Sequence, residues 1–252
     1  MKALKTLVVL VVGVGALTLF NMTFTANPQT AAQQKQEEEQ AEKLAQAKVD
    51  AQKKAAEVVA NPPKETVPTA GFEPFAEIPA KAPDQFKIKF ETTKGDFVIE
   101  CYREWAPNGV DRIFQLAKEG VFNDAGFFRV LPDFMVQFGI PADPALAAIW
   151  KSQTMQDDPA KQSNSEGMVT FATSGPNSRT TQIFINYKDN SFLDSQGFAP
   201  FAKVIQGMEV VKSIHSEYGE TPNQGSVQNH GKRYLEREFP NLDYVKTTIL
   251  GK

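Results

Sequence analysis

The chain has a single cysteine, Cys101, among 252 residues. No intramolecular disulfide and no cysteine-based zinc cluster can form. Two histidines, His215 and His230, are too few for a three-histidine metal site from one chain. The 27 Lys and Arg do not outnumber the 30 Asp and Glu, and the net charge is -3. A chain without cationic excess lacks the means to displace counterions from phosphates, so no nucleic-acid partner is expected. There is no Gly-x-Ser-x-Gly elbow and no phosphate loop ending in Gly-Lys-Ser/Thr, and Gly13-x-Gly15 falls in an apolar run where it carries no meaning. Asp157-Asp158 resembles a carboxylate pair, but adjacent side chains usually point apart. His215 reads as structural or solvent-facing. Hydrolytic, metal and cofactor chemistry are therefore poorly supplied, and neither a cofactor nor a metal is expected. With 41% hydrophobic and 23% charged residues, the chain is neither wholly disordered nor a multi-span membrane protein. What is abundant is phenylalanine, 19 against five Tyr and two Trp, almost entirely after residue 71, which locates the core there.

The N-terminus reads as a membrane address over residues 1–30. Lys2 and Lys5 precede an uncharged run whose apolar heart is Leu7 to Phe20. Such a pattern is either a cleaved export signal or an uncleaved anchor. The stretch Thr6 to Phe24, about 19 residues, nearly matches the ~20 that span a bilayer. Cleavage after Ala26 would put the large Phe24 three positions before the cut, which disfavours a cleaved signal. No cysteine follows the run, so a lipoprotein anchor is excluded. With the lysines held in the cytoplasm, the rest of the chain lies outside it, inner-membrane anchored and facing the periplasm. If the segment is cleaved, the protein is instead periplasmic or secreted.

Residues 31–84 read as a spacer. Residues 31–60 are rich in the helix formers Ala, Gln, Glu and Lys, with Glu39 and Lys43 in the favourable i,i+4 order. Apolar residues beyond Ala are limited to Leu44, Val49, Val58 and Val59, which make no heptad seam. A solvated single helix there would reach about 45 Å at ~1.5 Å per residue. Pro62, Pro63, Pro68, Pro74, Pro79 and Pro83 then impose an extended, semi-rigid linker. Phe72 and Phe75 within it either pack onto the next domain or are linker residues.

Residues 85–252 read as the folded domain. Phe86 to Phe90 alternates apolar and polar, as a half-buried strand does, and Phe97 to Tyr102 pairs with it across a turn at Lys94-Gly95-Asp96. Pro107 opens a helix with Val110, Ile113, Phe114 and Ala117 on one face, stopped by Gly120. Short apolar runs follow at 127–130, 134–138, 168–172, 182–186 and 198–204. A second helix is expected over 208–218, with Val210, Val211 and Ile214 inward, and a last strand over 245–250. Many short strands and two helices suggest a closed or nearly closed antiparallel barrel with helical caps.

Three ordered blocks of this domain resemble the cyclophilin family. The first runs from Gly126-Phe127-Phe128-Arg129 through Phe134-Met135-Val136-Gln137-Phe138-Gly139. The second runs from Gly167 to Ala172, through Gly175-Pro176-Asn177, to Thr181-Gln182-Ile183-Phe184-Ile185-Asn186. The third is Phe192-Leu193-Asp194, then Phe198 to Val204 and Gly207 to Val211. The resemblance covers about residues 86–250. It implies a mainly β fold, a closed eight-stranded antiparallel barrel with two capping helices. It also implies peptidyl-prolyl cis/trans isomerase activity on proline-containing polypeptides, assisting protein folding outside the cytoplasm.

That activity suits a chain with little else. No bond is broken; the barrier of about 18–20 kcal/mol is amide resonance. A catalyst holds the proline ring, leaves the preceding carbonyl free to turn, and donates to the prolyl nitrogen as resonance is lost. By the resemblance, Arg129 is that donor, and Gln137 braces it and, with Gln182, orients the peptide. Phe134, Met135, Phe184 and Leu193 form the proline pocket, with Phe192 and Phe198 beside it. Ala172 and Thr173 offer backbone hydrogen bonds to the residues before proline. Taken alone, Arg129 would read as an ordinary surface or ion-paired arginine, and Phe134 and Phe184 as core.

The chain departs from the family at several places. Members often have His at Phe128, Asn at Thr173, Trp at Phe192 and His or Tyr at Phe198, and Phe138 replaces a frequent Gly without a reason visible in the sequence. Phe192 lacks the indole donor, so binding of cyclosporin-type ligands is expected to be weak. Two alternatives to an exported isomerase are a catalytically weak proline-peptide binding module tethered to the membrane, and an inert spacer. Retention of Arg129 and the pocket residues speaks for the isomerase.

Overall fold

The computed structural model of the chain describes residues 71–252. The membrane address and the helical stalk lie outside the described residues. Among those described, no helix is long and apolar enough to cross a membrane.

Eight strands build one antiparallel sheet: β1 (Gln85–Thr92), β2 (Gly95–Tyr102), β3 (Arg129–Leu131), β4 (Met135–Phe138), β5 (Met168–Phe171), β6 (Ile183–Asn186), β7 (Pro200–Gln206) and β8 (Val245–Gly251). Their order across the sheet is β3-β4-β6-β5-β7-β2-β1-β8. The mainly β, eight-stranded antiparallel architecture is the one the resemblance implies. Full closure is not. The outermost strands β3 and β8 share no ladder, and the sheet curls round only to a single bridge, Gly126 to Tyr244. There the Phe127 N–H donates to the Asp243 carbonyl at 3.0 Å and the Val245 N–H to the Ala125 carbonyl at 2.9 Å. The reason lies in β3, which spans three residues and gives its Val130 N–H to the Gly219 carbonyl of a loop, at 2.9 Å, instead of to β8.

The two-residue period of the strands separates two apolar faces. Phe86, Ile88 and Phe90 of β1 point inward, as do Val130, Val136, Phe138, Val169, Phe171, Ile183 and Ile185. Phe90 stacks on Phe97 with ring centroids 4.9 Å apart. Phe138 fills the space beside them, its ring 5.7 Å from Phe90, 6.0 Å from Phe122 and 4.8 Å from Phe127. That is the reason for a large residue at 138, which the sequence alone did not supply. The next residue, Gly139, has φ of +103°, and a Cβ there would stand 2.6 Å from the Thr181 carbonyl oxygen.

Four α-helices, rather than the expected two, cover the described residues: α1 (Pro107–Lys118), α2 (Pro144–Lys151), α3 (Met208–Lys212) and α4 (Gln224–Glu238). The first is as expected, its N-terminus capped from afar by Asp158, which accepts from the Asn108 and Gly109 N–H groups at 3.1 and 2.8 Å. Asp157 turns instead to Arg179 and Asn177, so the two adjacent carboxylates serve different partners. The helix expected over 208–218 ends at Lys212: Ser213 caps it, and the His215 N–H is drawn off to the Asp243 carboxylate at 2.8 Å. Val210, Val211 and Ile214 are nevertheless buried.

Helix α4 was not expected, and it accounts for one departure from the family. It is broken at Gly231, where φ is +60° and a Cβ would lie 2.0 Å from the Ala142 carbonyl oxygen. Val227 and Leu235 of α4, with Ile140, Phe239 and Leu242, form a second apolar cluster around Phe128. A histidine at 128 would be enclosed by this cluster; a phenylalanine completes it.

Phe72 and Phe75 belong to the folded unit. Pro74 bridges to Gly251, the Phe75 N–H donates to the Leu250 carbonyl at 3.0 Å, and the Lys252 N–H to the Glu73 carbonyl at 2.8 Å.

Candidate active site

The outward face of the β3–β4 hairpin and of β6 carries the expected site residues. In register, Arg129 stands opposite Gln137, Leu131 opposite Met135, and Gln137 opposite Phe184. Their strand neighbours Val130, Val136 and Ile185 point into the barrel, so Arg129, Met135, Gln137 and Phe184 share the other face. Met135, Phe184 and Leu193 form a third apolar cluster, distinct from the barrel core, with Leu131, Phe134, Ala172 and Phe198 packed against it. Phe134 and Phe184 therefore line a cleft rather than fill the interior.

The cleft has a volume of about 610 Å³. Arg129, Phe134, Met135, Gln137, Ala172, Thr173, Gln182, Phe184, Leu193 and Phe198 all line it. Phe192 does not. It is 56% exposed and stacks on Phe134 from outside, with ring centroids 5.9 Å apart. Phe198 meets Phe184 edge to face at 5.7 Å. The floor is apolar, with Met135, Phe184 and Leu193 buried, while Arg129 and the two glutamines stand beside it.

Those polar groups form a chain of hydrogen bonds. Arg129 Nη1 donates to Gln137 Oε1 at 3.2 Å, and Gln137 Nε2 donates to Gln182 Oε1 at 2.9 Å. The guanidinium carbon lies 5.9 Å from the Phe134 ring centroid. Gln137 is buried, so its hydrogen bonds are needed to offset the loss of water. The Ala172 N–H is committed to the Gln182 carbonyl at 2.9 Å, which leaves Ala172 its carbonyl for a peptide. The Thr173 hydroxyl is engaged within the turn to Ser178, 2.9 Å from Ser178 Oγ.

Beneath the cleft lies a buried amide network that sequence reading missed. Asn164, Asn186 and Asn190 are fully buried. Asn190 Nδ2 donates to the Phe134 carbonyl at 2.9 Å, Asn164 Nδ2 to the Phe198 carbonyl at 2.9 Å, and the Leu193 N–H to the Asn190 carbonyl at 2.9 Å. Three lining residues are thus tied together through their backbones. Asp194 joins the network. Burial alone would raise its carboxyl, but hydrogen bonds from Ser163 and Asn164 outweigh this and hold it below the usual range.

Sequence reading also missed Glu220. Its Oε2 accepts from Arg129 Nε at 2.9 Å and makes an ion pair with Nη2, also at 2.9 Å. Glu220 lies 91 residues away in the chain, within no recognisable motif. Lys151 of α2 and Gln224 and Gln228 of α4 line the cleft as well.

Comparison with known proteins gives one consistent answer. The family model for cyclophilin type peptidyl-prolyl cis-trans isomerase/CLD matches residues 87–232. A peptidyl-prolyl cis-trans isomerase of Acinetobacter baylyi is 35% identical over 136 residues, covering 50% of this chain and 70% of that protein. Peptidyl-prolyl cis-trans isomerase B of Escherichia coli is 33% identical over 141 residues, covering 50% of this chain and 82% of that protein. A crystal structure of a cyclophilin type peptidyl-prolyl cis-trans isomerase from Cryptosporidium parvum shares the fold, with a TM-score of 0.51 at 18% identity, covering 67% of this chain and 98% of that one.

Proposed function

The chain belongs to the cyclophilin-type peptidyl-prolyl cis-trans isomerases, and from that premise we propose that Arg129 is the group that speeds rotation about the X–Pro bond. The proline ring enters the apolar floor made by Phe134, Met135, Phe184 and Leu193. As the amide twists, its nitrogen loses conjugation and becomes an acceptor. An N–H of Arg129 donates to it there, and only there, so the interaction lowers the barrier rather than merely tightening binding. A guanidinium has five N–H donors. Two are hydrogen-bonded, Nε–H to Glu220 and one on Nη1 to Gln137, which leaves N–H groups on both Nη atoms for substrate. Gln182 and the Ala172 carbonyl align the residues before proline.

The observation that carries this reading is a permanent cation fixed at the wall of an apolar cleft by a buried glutamine. The test is turnover of a short X–Pro peptide by the full chain and by Arg129→Ala. Binding of the peptide without acceleration by the parent chain would turn the reading into that of a binding module.

The enzyme assists folding outside the cytoplasm, held to the membrane by residues 1–30 and carried on residues 31–84. This rests on the basic start, the apolar run without a good small-x-small cleavage site, and the proline-rich linker. Its clients are proline-containing polypeptides near the membrane. Cell fractionation with mass measurement of the N-terminus tests it: a soluble form starting near residue 27 or later would show that the run is a cleaved signal.

A further inference from the structure

We propose that Glu220 is a positioning residue for Arg129, an inference that rests on the reading of Arg129 as the donor to the prolyl nitrogen. The guanidinium is gripped on two edges. One carboxylate oxygen of Glu220 takes the Nε hydrogen and lies 2.9 Å from Nη2 as an ion pair, and the Gln137 amide oxygen takes one hydrogen from Nη1. Gln137 alone would leave the plane of the group free to swing about its single hydrogen bond. Glu220 removes that freedom, so the remaining N–H groups keep one direction.

The pairing is built into the backbone. The residue after Arg129, Val130, donates its N–H to the carbonyl of the residue before Glu220, Gly219, at 2.9 Å. The loop is anchored on both sides of this contact. The Gly219 N–H donates to the Ser216 carbonyl at 3.1 Å and the Thr221 N–H to the Tyr218 carbonyl at 2.9 Å. Downstream, the Asn223 side chain caps α4 by accepting from the Ser226 N–H at 2.9 Å. Gly219, with φ of +54°, allows the turn that brings Glu220 alongside β3. Arg129 and Glu220 also line another cleft of about 500 Å³, together with Thr221, Pro222 and Asn223. Glu220 therefore reaches Arg129 from outside the proline pocket and leaves the pocket side of the guanidinium open.

Glu220 is exposed, with a side-chain accessibility of 63%, and Arg129 stands at 28%. Ion pairs of this kind add little to folding stability and weaken in salt. Their value here is directional, because a transition-state donor works only when held where charge and lone pair develop. The effect belongs in kcat, not in KM or in the melting temperature.

The experiment uses the full chain with Glu220→Ala, Glu220→Gln, Arg129→Ala and the Arg129→Ala/Glu220→Ala double variant. kcat and KM for a short X–Pro peptide are measured at low and high salt, beside thermal unfolding. Glu220→Ala is expected to lower kcat about three- to tenfold, with KM within about twofold. Glu220→Gln keeps an acceptor oxygen and should recover most of kcat. Salt should bring the parent toward Glu220→Gln while leaving Glu220→Ala and Glu220→Gln unmoved. Glu220→Ala should have no further effect once Arg129 is gone. Parent-like kcat in a folded Glu220→Ala would overturn the proposal, and so would a raised kcat, which would mean that the carboxylate damps Arg129. If Glu220→Ala fails to fold, Glu220→Gln decides: a salt response equal to the parent's overturns the proposal, and its loss upholds it. Parent-like activity of Arg129→Ala would instead overturn the reading of Arg129 itself.

Discussion

Arg129 and Gln137 are register partners across the β3–β4 hairpin, and the guanidinium lies within 3.2 Å of its brace. Gln137→Ala should therefore free one edge of Arg129 and leave Gln182 Oε1 without its donor. We expect kcat/KM to fall about tenfold, with a stability loss of about 0.5–1.5 kcal/mol for the lost hydrogen bond, since the half-buried Gln182 amide can turn to water in the cleft. Turnover assays and thermal unfolding check this; a variant with the parent's activity would show that Arg129 needs no brace.

Phe138 touches three other phenylalanines in the barrel. Phe138→Ala should cost about 3–5 kcal/mol, the range for emptying such a site. Urea unfolding reads it. A loss below about 1 kcal/mol would mean that the neighbouring rings collapse into the gap.

The strands and the first helix were legible because their signals are local. Alternation in Phe86 to Phe90, and Pro107 before an apolar stripe, need no knowledge of the rest of the chain. Helix α2 carried the same kind of signal, Asp143 capping and Pro144 opening it, and went unread. Helix α4 was harder: Gly225 and Gly231 weaken its pattern, and it exists because Phe128 needs covering. Of the expected site residues, which the resemblance supplied, all but Phe192 line the cleft: Arg129, Met135, Gln137 and Phe184 as alternate strand residues, the others from the segments between strands. Glu220 and the amides of Asn164, Asn186 and Asn190 were not readable, because their roles depend on contacts across the fold.

Acid should loosen the cleft through Asp194. Its carboxyl is held below the usual range in the folded protein, so its contribution to stability is full above the unfolded value of about 3.9 and is lost as pH falls through the folded value. Asp194→Asn should lose much of the parent's stability change below about pH 4. Thermal unfolding across pH 2.5 to 6 for the two proteins measures it. Identical pH profiles would remove Asp194 from the account.

Phe192 lies at the rim with its ring exposed, so a larger ring fits there without repacking. Phe192→Trp adds an indole N–H that a cyclosporin-type ligand can use. Supplying that donor should tighten binding by about 1–3 kcal/mol. Titration calorimetry on both proteins decides, and an unchanged Kd would show that this acceptor is satisfied otherwise.

The central claim is that Arg129 supplies the transition-state donor. The direct measurement is kcat/KM of the full chain and of Arg129→Ala on one X–Pro peptide, with circular dichroism of both. The account predicts a loss of about 10²- to 10³-fold with the β spectrum unchanged. Equal kcat/KM in two equally folded proteins would contradict it.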